Sequence, residues 1–165
     1  MNRRHGGFTF VEVVVVLAIL AVTGLVAYPP LHATLEKTRM ESAVRELAAL
    51  LKYAREKSMA EQETVAVVLR KQEGDLTIFN RRGQSIKYYR LYDKIEFVRL
   101  ILDGLDVADN RTVVWFYPDG RSTGVAMVVR HESGHQLRLK TDILTGNTRI
   151  FAPGESGFDD EMFNP

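Results

Sequence analysis

Polar side chains are nearly absent from one stretch near the start of the chain. From Phe8 to Tyr28 only Thr9, Glu12, Thr23 and Gly24 interrupt an apolar run. As a helix, that run spans about 31 Å, roughly the hydrocarbon thickness of a bilayer. It is longer than the roughly 7–15 apolar residues of a secretory signal, and it ends at Tyr28-Pro29-Pro30 without a small-residue cleavage site. The pattern predicts a retained transmembrane helix over residues 8–30. A head of residues 1–7 precedes it and carries Arg3 and Arg4, which places the N-terminus in the cytoplasm and the remainder outside. Pro29 and Pro30 are expected to kink the helix without necessarily ending it, because proline lacks the donor and its ring crowds the preceding turn.

The period then changes. Leu35, Val44, Leu47, Leu51 and Ala54 recur at helical spacing among charged residues such as Glu36, Arg45, Lys52 and Arg55. This predicts an amphipathic helix over residues 31–62, with its apolar stripe packed on a sheet. From residue 63 the apolar runs become short and β-rich: 64–69, 76–79, 86–91, 95–102, 113–117, 125–130, 136–140 and 148–151. Turn signals such as Glu73-Gly74-Asp75, Arg82-Gly83, Pro118-Asp119-Gly120 and Gly146-Asn147 separate many of them. The expected architecture is α+β, a long N-terminal helix packed on an antiparallel β domain of residues 63–154. Residues 155–165 hold Glu155, Asp159, Asp160 and Glu161 with no basic residue, and are expected to form a mobile acidic tail.

Charge and composition narrow the chemistry. The 165 residues carry 22 basic and 21 acidic side chains and no cysteine. Disulfides and thiolate metal sites are excluded. Residues 41–165 hold 18 of the 22 basic and 19 of the 21 acidic residues, so the expected β domain has no basic footprint for nucleic acid. Arg70-Lys71 and Arg81-Arg82, with Phe79 nearby, are the only local counter-argument, and DNA is not the expected partner.

At this point the head becomes informative. Gly7 followed by Phe8-Thr9-Phe10-Val11-Glu12 and a long apolar run resembles the class III signal of type IV pilins and type II secretion pseudopilins. The resemblance implies cleavage between Gly7 and Phe8 by a membrane-embedded prepilin peptidase, with N-methylation of Phe8. Glu12 would become the fifth mature residue, and Pro29 falls where that family commonly kinks its helix. A second stretch, Val114-Trp115-Phe116-Tyr117-Pro118-Asp119-Gly120-Arg121-Ser122-Thr123-Gly124, followed later by Thr145-Gly146-Asn147-Thr148-Arg149, is similar to the GspH/FimT group of minor pseudopilins and minor pilins. Its signature turn rests on Phe116, Pro118, Gly120 and Gly124; the group's later Gly-Arg pair reads Gly146-Asn147 here. The resemblance is weak over residues 64–112.

The resemblance implies a minor pseudopilin of a type II secretion system, a structural subunit near the tip of a short periplasmic filament. The alternative is a minor pilin of a type IV pilus, priming assembly or taking up DNA. Its implied partners are other pilin-like subunits, the prepilin peptidase, the inner-membrane assembly platform and membrane lipid; no cofactor is implied. Glu12 fits such a role on physical grounds. A lone carboxylate in hydrocarbon costs about 2.5–3.5 kcal/mol, so an intramembrane acid asks for a partner. In a bundle of anchor helices the Phe8 amine of another subunit is that partner, and the pair sets a register between neighbours.

Two motifs point elsewhere. His131-Glu132-Ser133-Gly134-His135 reads as His-Glu-x-x-His, a zinc-protease pattern that needs a helix. Its flanks alternate like strands and Ser133-Gly134 is a turn signal, so a hairpin tip is expected and no catalytic residue is assigned. Asp103, Asp106, Asp109 and Asn110 offer oxygen ligands, but their spacing matches no calcium loop.

Overall fold

The computed structural model describes residues 9–155; within the long helix the side chains of residues 24–33 also lie outside the description. The leader, the cleavage and methylation positions Gly7 and Phe8, and residues 156–165 are therefore outside the described residues. The elements are one helix, α1 (Phe10–Glu61), and nine strands: β1 (Val65–Arg70), β2 (Asp75–Phe79), β3 (Ser85–Arg90), β4 (Ile95–Leu102), β5 (Leu105–Asp106), β6 (Arg111–Phe116), β7 (Val125–His131), β8 (Gln136–Thr141) and β9 (Thr148–Phe151). The chain divides into two compact units, residues 1–37 and 38–165.

In the first unit, α1 starts at a capped end. The Glu12 N–H donates to the Thr9 carbonyl at 3.1 Å and to Thr9 Oγ1 at 3.3 Å. Phe10, Val11, Val13 to Leu17, Ile19, Leu20 and Val22 each stand 46–83% exposed, so this turn-by-turn apolar surface has no partner among the described residues. The helix continues through Pro29 and Pro30. Among the described residues no helix is long and apolar enough to cross a membrane. The expected span reaches beyond them, into Phe8 and the side chains of residues 24–30.

The second unit holds the core. Met40, Ala43, Val44, Leu47, Leu51 and Ala54 form one fully buried stripe of α1. The stripe starts at Met40, not at Leu35, which belongs to the first unit and is half exposed. The helix ends because Gln62 adopts φ +55°. The Glu63 N–H then returns to the Ser58 carbonyl at 3.2 Å, and Gln62 Nε2 donates to the Met59 carbonyl at 2.7 Å. This is a left-handed cap that satisfies the last carbonyls.

Two antiparallel sheets complete the unit, one in the order β3-β2-β1-β6 and one in the order β5-β4-β7-β8-β9. Alternation sends Val65, Val67, Leu69, Leu76, Ile78, Val114 and Phe116 from the first sheet into the core shared with α1, and Leu100, Val125, Met127, Val129 and Leu139 from the second. Burying a side chain of this size stabilises by about 1.5–3 kcal/mol. On the outer face of the first sheet Asp75 is almost fully buried. Arg70 holds it through two bonds, Nε to Oδ1 at 2.7 Å and Nη2 to Oδ2 at 2.5 Å, and the Tyr88 hydroxyl adds a third at 3.3 Å.

The expected strands form within a residue or two of their sequence limits, and β5 is additional. Asp103 (φ +49°) and Gly104 (φ +82°) make the two-residue turn that joins β4 to β5. Asp-Gly is the usual sequence for such a turn, because both central residues need positive φ.

Candidate functional site

Two places carry the residues singled out from the sequence, one in each unit. The first is the head of α1. Thr9-Phe10-Val11-Glu12 is a capping-box sequence: Thr9 at the cap accepts the N–H of the third helical residue, Glu12. An acid in the first turn also opposes the positive end of the helix dipole. Glu12 is exposed, on a surface otherwise apolar. The sequence reading gave Glu12 an assembly role and missed its local one. The signal was present, since a Thr-x-x-Glu pattern ahead of an apolar run marks a helix start.

The second place is the signature turn. Phe116 ends β6 and is fully buried in the main core. Tyr117-Pro118-Asp119-Gly120 is a β-turn with Pro118 at its second position: the Gly120 N–H donates to the Tyr117 carbonyl at 2.9 Å, and Gly120 has φ +87°. The chain returns so that the Tyr117 N–H reaches the Arg121 carbonyl at 2.9 Å and the Thr123 N–H reaches Trp115 at 3.0 Å. Thr123 Oγ1 in turn accepts from the Trp115 N–H at 3.0 Å.

The loop after β8 closes on this turn. Ser122 donates its N–H to the Ile143 carbonyl at 2.9 Å and its Oγ to the Asp142 carbonyl at 3.1 Å, while accepting from the Gly124 N–H at 3.0 Å. Gly124 must be glycine twice over: φ is +65°, and a Cβ there would lie 2.5 Å from Ile143 Cγ1. Gly146 is tighter still. Its φ is +62°, and a Cβ would collide with the Gly120 carbonyl oxygen and stand 2.9 Å from Arg55 Cδ.

The helix supplies the third side. Arg55 Nε donates to the Gly120 carbonyl at 3.3 Å, and the Ser58 hydroxyl is shared between the Arg55 carbonyl at 2.8 Å and the Tyr117 carbonyl at 3.1 Å. Arg55, expected on the solvated face of the helix, is instead part-buried against the turn; its long stem packs while its head bonds a backbone oxygen. Neither Arg55 nor Ser58 carried a sequence signal. The signature residues thus meet one another, the 142–147 loop and α1, in an arrangement of backbone hydrogen bonds and close packing without a nucleophile–base pair.

The carboxylates here are held charged. Asp142 lies below the usual carboxylate range, first because the Thr145 N–H donates to its Oδ1 at 2.7 Å, then because the Thr145 hydroxyl does so at 2.8 Å. Asp119 is lowered as well, by the Arg121 N–H first and then by its guanidinium. A depressed folded value stabilises the fold above the unfolded pKa of about 3.9 and ceases to do so as pH falls through the lower folded value. The melting temperature is therefore expected to fall below about pH 4, and Asp142→Asn to flatten part of that slope. Thermal melts of both proteins between roughly pH 2.5 and 5 measure it; parallel slopes would exclude Asp142 as a contributor.

The remaining motifs have other uses. His131 and His135 lie in the β7–β8 hairpin, the first buried and the second exposed. His131 Nδ1 accepts the Ser133 N–H at 3.1 Å and sits 2.7 Å from Ser133 Oγ, which is turn chemistry. Asp106 pairs with Arg99 at 2.6 Å, and Asn110 braces the β1–β2 turn through Gln72 and Glu73. No group of three or more His, Asp or Glu able to hold a metal occurs among the described residues. Arg70 is committed to Asp75, and Arg81 and Arg82 are exposed in the β2–β3 turn.

A capped apolar helix head and a β domain locked to the rest of that helix define a pilin-like subunit. Comparison with known proteins agrees. Residues 2–28 match the prokaryotic N-terminal methylation motif, and residues 43–145 match the family described as type II transport protein GspH. The chain belongs to the GspH family, whose members are structural pilin-like subunits that associate with other pilin subunits. The minor pseudopilin EpsH of the Vibrio cholerae type 2 secretion system has the same fold: TM-score 0.60, 16% identity, 72% of this chain and 99% of that one. A second EpsH crystal structure gives 0.58, 17%, 74% and 99%. The type IV minor pilin FimU of Pseudomonas aeruginosa PAO1 gives 0.56, 13%, 73% and 93%. Among curated proteins none matches the chain.

Proposed function

We propose that this minor pilin-like subunit serves a type II protein secretion system, in a short periplasmic filament and near its tip. The observation that supports this most directly is the match of residues 43–145 to the type II GspH family. The subunit is inserted through residues 8–30, cut after Gly7 and methylated on Phe8 by the prepilin peptidase. It is then drawn from the inner membrane by the assembly platform, with residues from 31 onward in the periplasm. It performs no catalysis. The apolar surface of Phe10 to Val22, which has no partner among the described residues, becomes the contact surface of the filament core.

Glu12 sets the register in this scheme. Its carboxylate meets the Phe8 amine of a neighbouring subunit where water is excluded, and there a pair of charges is worth far more than at a surface. Glu12→Ala is expected to be processed normally and to drop out of the filament. Immunoblotting of sheared filaments against membrane fractions reads this directly, and normal incorporation of the variant would falsify the pairing. The likeness in fold to FimU keeps a type IV pilus as the second reading. Deleting the gene separates the two: loss of folded proteins from the medium with surface pili intact supports secretion, and the reverse result supports the pilus.

A further inference from the structure

The four-stranded sheet carries a cleft on its outer face. Val65, Val67, Leu69, Ile78 and Val114 point into the core, so their alternates Ala66, Val68, Phe79, Val113 and Trp115 face outward. Register sets Phe79, Ala66 and Trp115 in one cross-strand row, and Thr77, Val68 and Val113 in the next. In the first row two aromatic side chains flank an alanine across two strand spacings, about 10 Å at the backbone. The cleft that results has a volume of about 370 Å³, with Ala66 and Val68 as its floor and Phe79 and Trp115 as its walls. Ala66 and Val68 are each 8% exposed, whereas Trp115 is 43% exposed. Thr123 bonds both the N–H and the carbonyl of Trp115, so the backbone of that wall is fixed.

Both ends of the cleft are basic. Arg81, in the β2–β3 turn, borders it beyond Phe79, and Arg111, opposite Arg70 in the register, borders it at the other end. Asn80 braces the turn that carries Arg81, its Oδ1 accepting the Gln84 N–H at 2.9 Å. Among the described residues no carboxylate lines the cleft, and neither Arg81 nor Arg111 has an ion pair or a side-chain hydrogen bond. Arg70, by contrast, is committed to Asp75. From the row of Ala66 to that of Arg111 is four residues of β1, about 13 Å. An extended chain presents alternate side chains to one face about every 6.7 Å. Laid along β1, such a chain sets one side chain over Ala66, the next over Val68 and the next at Arg111. A nucleic-acid strand asks for a longer track of cations, and residues 41–165 hold 18 basic against 19 acidic side chains.

We infer that this cleft binds an extended segment of a partner protein with the pattern acid-x-apolar-x-apolar-x-acid. The two apolar side chains enter over Ala66 and Val68, between Phe79 and Trp115, and the acids meet Arg81 and Arg111. Charge complementarity selects this occupant: a carboxylate arriving at either end finds a free guanidinium, whose planar fork suits it. The apolar floor supplies the burial and the arginines fix the orientation and the choice of partner. The inference is independent of which filament the subunit joins.

Trp115 is the single tryptophan of the chain, so its emission reports on the cleft directly. The full chain in non-ionic detergent micelles is titrated with the capped peptide ESFSVSE and with its charge-reversed form KSFSVSK. The acidic peptide is expected to shift the emission to shorter wavelength, saturably, and to bind at least about 10-fold more tightly than the basic one. The double variant Arg81→Glu/Arg111→Glu is expected to reverse that order, a result that misfolding cannot produce. Arg81→Glu alone, in an exposed turn, is expected to weaken the acidic peptide by about 3-fold with the melting temperature unchanged. Equal affinity for the two peptides, or no change in emission with either, overturns the inference, as does an unchanged order in a folded double variant. Tighter binding of oligothymidylate than of the acidic peptide also overturns it, and assigns the cleft to single-stranded nucleic acid.

Discussion

Phe116→Ala is expected to destabilise the second unit by about 3–5 kcal/mol. Phe116 is the largest side chain buried to 0% exposure, and it stands where β6 passes into the signature turn. Its ring lies in the main core with Leu47, Leu51 and the inward residues of both sheets. Truncation removes the transfer free energy of the ring and leaves a void that a close-packed interior fills only partly. A small domain commonly has only 5–15 kcal/mol in total, so the loss is a large share. Urea unfolding of the full chain in detergent, followed by circular dichroism, measures it. A cost below about 1 kcal/mol would mean that the turn, not the ring, is what the signature preserves.

Gly146→Ala has the second largest expected effect, about 2–5 kcal/mol. A left-handed φ costs a side-chain-bearing residue roughly 1–2 kcal/mol, and forced overpacking adds about 1–3. Here the added methyl meets a backbone carbonyl, that of Gly120, which Arg55 already holds through a 3.3 Å hydrogen bond. Neither can move alone: the turn is tied to α1, and the 142–147 loop is tied to the turn through Ser122. Gly134→Ala is the matched control. It also has positive φ, at +91°, but nothing lies within 4 Å of its Cβ position. It should cost only the backbone component, so the difference between the two melts isolates the collision.

Both predictions place the signature in the architecture of the subunit. Part of this was legible beforehand. The Pro118-Asp119-Gly120 turn follows from proline's fixed φ and glycine's freedom, and the structure has it. Thr9 and Glu12 also advertised a helix start. Arg55 shows where reading stopped. In the helical pattern it is one charged residue among several, and its role depends on a carbonyl 65 positions away. Ser58 is similar: its hydroxyl bonds back to the Arg55 carbonyl at 2.8 Å within the helix, and only the fold brings it a second acceptor, the Tyr117 carbonyl 59 positions on. The Asp103-Gly104 turn was legible and was passed over, because its aspartate was weighed as a cation ligand.

What the sequence determined alone is what depends on neighbours along the chain. An unbroken apolar run, a change from helical to alternating period, capping and turn residues all act within a few positions, and they sufficed for α1, for the strand positions and for the α+β class. The tertiary structure decided everything that needs two distant segments at one place. It determined which strands pair into two sheets, and why Gly146 tolerates no methyl. It also put Phe79 and Trp115 on either side of Ala66 on the outer face of a sheet. Contacts of that kind arise only when the chain closes long loops, and no local pattern of hydrophobic and polar residues encodes which loop will close on which.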